Sequence, residues 1–342
     1  MTAGVGRPLL RMAVTGKTHR IKSRLTLQSS GQRSPMMRQT AQHLVVGLGE
    51  ALWDILPSGK HLGGAPLNFA YIASLLGENT VITTRIGNDP LGEEIETELT
   101  RRHLDLDGIQ IDHDLPTGTV EVSFHNGQPQ YEIRQPAAWD ALEWSPKWRQ
   151  IAAKSDAVCF GTLAQRASKS RESIQKFVQN TRPECLRVLD INLRKPFYSR
   201  EVIESSLQMA TILKLNDAEV GEIAAICGVS GGEIESQMVD LLRKFKLTCV
   251  FATRGECGAM AANSRGVVEH PGFKVQVRDT IGAGDAFTAA ATHCLLSGME
   301  PEKTLAIANR WASWVASQAG GMPAISDELR REMLNEIAIS TR

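Results

Sequence analysis

Four consecutive segments decide the fold: CLRVLDINLR (185–194), REVIESSLQMA (200–210), TILKLN (211–216) and DAEVGEIAAICG (217–228). They read strand, helix, strand, helix. The strands are short apolar runs, and the helices carry apolar residues at a spacing of three and four. The same order holds on either side. DAVCFG (156–161) is a strand and KSRESIQKFVQNT (169–181) a helix; EIESQMVDLLRKF (233–245) is a helix and CVFATRG (249–255) a strand. Strands alternating with helices predict a parallel, doubly wound α/β sheet.

Upstream, HLVVGLG (43–49) reads as a buried strand and GEALWDILPSG (49–59) as an extended segment with a turn at Pro57-Ser58-Gly59. GGAPLNFAYIASLLG (63–77) opens a helix with Phe69, Ile72, Ala73 and Leu76 at helical spacing. TVITTRIG (80–87) is a strand, and LGEEIETELTRRHL (91–104) an amphipathic helix striped by Leu91, Ile95 and Leu99. TGTVEVSFHNGQPQYEIR (117–134) alternates around Asn126-Gly127, a hairpin signal that predicts a small sheet standing apart from the main one. GAMAANSRGVVEHPG (258–272) reads as a second hairpin.

The chemistry concentrates in Asp279-Thr-Ile-Gly-Ala-Gly-Asp285, followed at once by the small-residue helix AFTAAATHCLL. Gly282, Ala283 and Gly284 leave backbone N–H groups open to close approach, and a helix start adds its own free donors and dipole. Such a turn suits a phosphate. Asp285 at its mouth suits the removal of a proton from a hydroxyl. In GGAPLN, Gly64 and Asn68 offer backbone and amide contacts, and Asp54 a nearby carboxylate; together they suit adjacent sugar hydroxyls.

These motifs resemble the two signatures of the PfkB (ribokinase-like) carbohydrate kinases. IGNDPLGEEI, PTGTV, DINLR, KLNDAE and a TRG turn lie between them in the family's order. The resemblance covers about residues 43–330 and is closest to the fructokinase branch. It implies a ribokinase-like, mostly parallel sheet flanked by helices, with a small β-sheet lid from about 50–62 and 117–135 in a domain spanning 41–335. It further implies ATP-dependent phosphorylation of a sugar hydroxyl, with fructose to fructose 6-phosphate expected. A kinase for another hexose or for 2-keto-3-deoxygluconate, or a silent sugar-binding regulator, are the alternatives. A Rossmann dehydrogenase is set aside because its G-x-G-x-x-G after the first strand is missing.

By the same resemblance Asp285 is the catalytic base and Gly282, Ala283 and Gly284 form the anion hole. Asp54, Gly64, Asn68 and Thr162 are expected to bind the sugar, and Arg194 in DINLR to meet either the sugar or a phosphate. Asn216, Glu219, Thr253, Arg254, Gly255, Gly258 and Asn309 are expected on the nucleotide side, with Mg²⁺ linked to the N-x-x-E motif. Asp279, Ile281, Gly320 and Ala324 would border a monovalent cation, K⁺.

The net charge of the chain is zero, but it is unevenly spread. Residues 1–40 hold eight basic and no acidic residues, which leaves 30 basic against 38 acidic residues, a net −8, for the rest. An acidic body argues against nucleic acid as a partner. The basic head is read as a disordered extension, an organelle transit peptide or an over-called start, the last favoured by Met36 and Met37. No apolar run is long enough for a membrane span, and a cytoplasmic protein is expected, with organelle targeting by residues 1–40 left open. The six cysteines form no C-x-x-C pair and are expected as buried free thiols. Trp53, Trp139, Trp311 and Trp314 are expected in the core. The expected partners are sugar and ATP, with a homodimer through the lid.

Overall fold

The computed structural model describes residues 42–56, 59–125, 128–229 and 231–340. The Asn126-Gly127 turn, Pro57-Ser58 and the basic head lie outside these residues. Thirteen strands follow in chain order: β1 Leu44–Leu48, β2 Leu52–Leu56, β3 Gly59–Gly63, β4 Asn79–Gly87, β5 Ile109–Asp112, β6 Gly118–His125, β7 Gln128–Ile133, β8 Ala157–Phe160, β9 Leu186–Asp190, β10 Ile212–Asn216, β11 Cys249–Thr253, β12 Ala259–Asn263 and β13 Gly266–His270.

Nine of them form one sheet in the order β13-β12-β11-β10-β9-β8-β1-β4-β5. Every pair from β11 to β5 is parallel; the β12–β13 hairpin closes one edge antiparallel. The central strands β1, β8 and β11 are short apolar runs because both faces are covered. Val45, Cys159 and Val188 join the core under the helices Ala65–Leu75, Ala283–Leu296 and Pro301–Ala316. Their chain neighbours Val46, Val158 and Leu189 join the core on the opposite face. Side chains that alternate across a strand therefore supply two cores from one run.

The Ala65–Leu75 helix is buried from Pro66 to Ala73, so the predicted stripe is one part of an all-round apolar surface. It shares a core with Ala286, Ala289 and Ala290 of the 283–296 helix, where small side chains allow close approach. In the Pro90–Arg101 helix, Ile95 and Leu99 are buried and Leu91 partly so, as the stripe predicted.

The other four strands form a separate sheet, β3-β2-β6-β7. Its outer pairs are antiparallel and β2–β6 is parallel. This is the predicted small sheet. All six cysteines are free, but Cys257, at the end of the short 3-10 helix Gly255–Cys257, is exposed; the other five are buried as expected. No helix among the described residues is long and apolar enough to cross a membrane.

Candidate active site

A cavity of about 420 Å³ opens at the C-terminal ends of β1, β8, β9 and β10, under the small sheet. This is where ligands sit in open parallel sheets. Leu52 and Asp54 on β2, Val120 on β6 and Ile133 on β7 form its roof. Its walls include Gly64, Asn68, Thr162, Arg194, Gly282, Gly284 and Asp285. Two motifs more than two hundred residues apart thus meet at one site. Asn68 Nδ2 donates to Asp285 Oδ2 at 2.8 Å, with both side chains buried. A larger hollow, about 670 Å³, lies against residues 135–140 and 196–202. It holds none of the predicted site residues, and its Arg166 is already paired with Asp140 at 2.8 Å.

Two glycines are required by geometry. Gly64 has φ 110°, and a Cβ there would lie 2.5 Å from the Glu50 carbonyl oxygen. Gly282, the residue before the helix, has φ 77°, and a Cβ would lie 2.3 Å from Gly321 Cα. Both positions exclude other L residues on backbone conformation and on space. The helix starts at Ala283, which places Asp285 in its first turn.

The cavity is rich in carboxyls. Asp285 is raised to about 6, first by burial and then by the negative charge of Asp190; the Asn68 hydrogen bond, Lys214 and Arg194 pull it back. Glu50 is raised to about 7, mainly by burial, and its Oε2 is buried without a hydrogen-bond partner. Asp54 is raised to about 6 by burial, against the attraction of His61 and Arg194. Arg194 is exposed at the mouth, and its charge reaches all three. Thr162 lines the wall, but its hydroxyl donates to the Ile191 carbonyl at 3.0 Å.

Three charged wall residues were not predicted from the sequence. Besides Glu50 they are Asp190 and Lys214, register partners on β9 and β10. Lys214 Nζ lies 3.1 Å from Asp190 Oδ1, and Asp190 Oδ2 accepts from Thr288 Oγ1 at 2.8 Å. Burial opposes the Lys214 ammonium, but Asp190, Asp285 and Glu219 outweigh it and hold its pKa above the ordinary lysine value. The available signal was a lysine within an apolar strand, a residue type rarely buried unless paired.

The predicted nucleotide residues do not line this cavity. Thr253, Arg254, Gly258 and Asn309 gather instead around the β12–β13 edge. A Cβ on Gly258 would lie 2.0 Å from the His270 carbonyl oxygen. Asn309 Nδ2 is 3.3 Å from His270 Nδ1, and Arg254 pairs with Glu269 at 3.1 Å. Gly255 sits in the same turn with φ 56°. Asn216 and Glu219 form a reciprocal capping box at the start of the Asp217–Ile226 helix. Glu219 Oε2 accepts from Asn216 N and Oε1 from Leu193 N, so the motif ties β10 to the DINLR loop. Asp279 joins the two loops named for a cation: its oxygens accept from Ile281 N and Gly320 N, each at 3.0 Å. Trp53 and Trp139 are core residues, and Trp311 and Trp314 pack edge to face. No group of three or more His, Cys, Asp or Glu among the described residues could hold a metal ion.

A sequence model of the pfkB family carbohydrate kinases matches residues 58–328. A fructokinase from Klebsiella pneumoniae is 28% identical over 310 residues, 84% of this chain and 98% of its own length. The crystal structure of a sugar kinase from Pyrococcus horikoshii in complex with ATP superposes with a TM-score of 0.73 at 27% identity, covering 86% of this chain and 99% of that one. A fructokinase from Xylella fastidiosa with bound ATP shares the fold, with a TM-score of 0.75 at 19% identity over 87% of this chain and 99% of that one.

Proposed function

The chain belongs to the PfkB family of carbohydrate kinases, and on that premise we propose that it transfers the γ-phosphoryl group of ATP to the terminal hydroxyl of fructose. The observation that carries this reading is the Asn68–Asp285 hydrogen bond, which joins the sugar-side and phosphate-side motifs in one cavity. Asp54, Gly64 and Asn68 orient the sugar. Asp285 takes the proton of the attacking hydroxyl; with its carboxyl at about 6 it is ionised at neutral pH yet basic enough to accept that proton. The N–H groups of Gly282, Ala283 and Gly284 meet charge on the phosphoryl oxygens. Thr253, Arg254, Gly258 and Asn309 hold the nucleotide along the β12–β13 edge.

Mg²⁺ fits a role in which phosphate oxygens and water provide most ligands. Both oxygens of Glu219 are engaged by backbone N–H groups, so that carboxylate would act on the ion through water or phosphate and not as a direct ligand. The ion would supply charge neutralisation when bound with ATP.

A neutral sugar is favoured over a sugar acid such as 2-keto-3-deoxygluconate. Glu50, Asp54, Asp190 and Asp285 line the cavity against two cations, Arg194 at the mouth and Lys214, which is already paired with Asp190. A substrate carboxylate would add a like charge in a partly desolvated site. K⁺ between the 279–281 and 320–324 loops would stabilise the anion hole through main-chain carbonyls.

The test is ADP release across a panel of neutral sugars and sugar acids, run in matched K⁺ and Na⁺ buffers. Fructose should give the highest kcat/KM, and phosphorus NMR should place the phosphate on the terminal carbon. A sugar acid that outperforms fructose would overturn the substrate. Equal rates in the two buffers would remove the cation alone.

A further inference from the structure

β9 and β10 lie in the middle of the main sheet, and Leu213 and Leu215 on either side of Lys214 are fully buried. A charged pair at this depth gains back roughly what its desolvation costs, and well-packed apolar residues would serve stability as well or better. Packing therefore gives no reason for Lys214 and Asp190. Their position does. Both line the cavity, and a methyl group on Gly284 would lie 2.9 Å from Lys214 Nζ. The ammonium rests against the turn that carries the anion hole. Asp190 fixes it there, and is itself fixed by Thr288, one helical turn beyond Gly284. An ammonium has three donors, and among the described residues Asp190 is its hydrogen-bonding partner.

We propose that Lys214 is a catalytic residue whose ammonium binds the phosphoryl group during transfer, beside the N–H groups of the Gly282–Gly284 turn. This rests on the kinase reading with Asp285 as base. In the step, the bond from the γ-phosphorus to the oxygen bridging to the β-phosphate breaks, and ADP leaves with the electron pair. A bond forms from the sugar hydroxyl oxygen to phosphorus, and the hydroxyl proton passes to Asp285. Lys214 stays an ammonium throughout and contributes charge alone. A pre-placed cation in a site closed to water acts most strongly where charge is redistributed, which favours an effect on kcat over KM.

The test separates this role from neutralisation of Asp190. Lys214→Met alone would leave a buried carboxylate unpaired and risks the fold, so the decisive variant is Lys214→Met with Asp190→Asn. Lys214→Gln is its companion: it keeps a donor toward Asp190 without the charge. Both should lose turnover by about 10²–10³-fold, the range for removing one charge-stabilising donor. KM for sugar and ATP should move less than about threefold, since the loss is confined to the transition state. Binding of ADP with sugar, followed by calorimetry, should be unchanged. Addition of aluminium fluoride, which occupies the place of the phosphoryl group in transit, should tighten the wild-type complex and fail to tighten either variant's. Turnover of the double variant within threefold of wild type would overturn the proposal and leave Lys214 as a counter-ion for Asp190. Failure of the base reading appears elsewhere, as retained turnover in Asp285→Asn.

Discussion

The two ends of the cavity are built from different material. At the phosphate end most of the contacts proposed are backbone N–H groups at Gly282–Gly284, with the Lys214 ammonium beside them; the turn is fixed by a left-handed residue and by a chain crossing 2.3 Å from where a side chain would begin. The N–H groups sit on a helix buried with the sheet core. At the sugar end the contacts proposed are mainly side chains, Asp54 and Asn68, with the backbone at Gly64, and part of the wall is the four-stranded sheet, which shares no strand with the main one. Backbone contacts cannot be exchanged by substitution without rebuilding the turn; side-chain contacts can. On the proposed roles, substitution would change the acceptor more readily than the phosphate chemistry, one way in which a fold can serve many substrates.

The largest expected effect lies where the ends meet. Asp285→Asn keeps the shape and can still accept the Asn68 hydrogen bond through its amide oxygen, but it cannot take a proton. Turnover should fall by about 10²–10⁴-fold, with sugar affinity by calorimetry nearly unchanged. A kcat within threefold of wild type would remove Asp285 as the base and with it the link between the two ends.

A smaller effect tests the sugar end alone. Asp54→Asn should raise KM for the sugar by about tenfold, the loss of one hydrogen bond to a charged group, while KM for ATP and kcat stay within about threefold. Equal losses in kcat and in sugar binding would mean that β2 shapes the transition state as well, and the division between the ends would fail.

The sequence exposed the parts of this site that depend on small residues. Gly282 and Gly64 leave signatures because their positions admit little else, and Asp285 and Asn68 stand at fixed offsets from them. The alternation of strand and helix over 156–255 carried the main sheet, and the alternation over 117–134 carried the small one. Lys214 and Asp190 left a weaker trace. A lysine in ILKLN also suits an edge strand, and only the order β11-β10-β9 shows that β10 is central. Asn309 was legible as a motif position, but His270, its neighbour, was not, since their contact crosses 39 residues and no periodicity links a helix to the edge of a hairpin. Glu219 was read as a partner of Mg²⁺ and phosphate, and what the structure adds is its place in a helix cap, which no motif match by itself reveals.

The smallest expected effect is on stability, and its sign follows from burial. Asp285 is raised in the fold from 3.8 to about 6, and Glu50 from 4.5 to about 7. The folded protein thus binds these protons more tightly than the unfolded chain does. Their contribution is fully present below about pH 4, and it is lost as pH rises through 6 and 7. At pH 8 the cavity carries ionised carboxylates that the fold tolerates at a cost. Carboxyls held low elsewhere, among them Glu78, Asp89 and Asp112, have the opposite dependence: their contribution is lost as pH falls. The difference between wild type and Asp285→Asn isolates the cavity. The variant should melt higher than wild type at pH 8. Two pKa units correspond to on the order of 2–3 kcal/mol, and for a chain of this size each kcal/mol is worth about 1–2 °C. At pH 5 wild-type Asp285 has largely taken up its proton, so the gap should narrow. Melting curves at the two pH values decide it. A variant less stable than wild type at pH 8, or a gap that does not change with pH, would mean that the carboxylate is not strained by burial, and that the junction between the two ends gives up no stability for its chemistry.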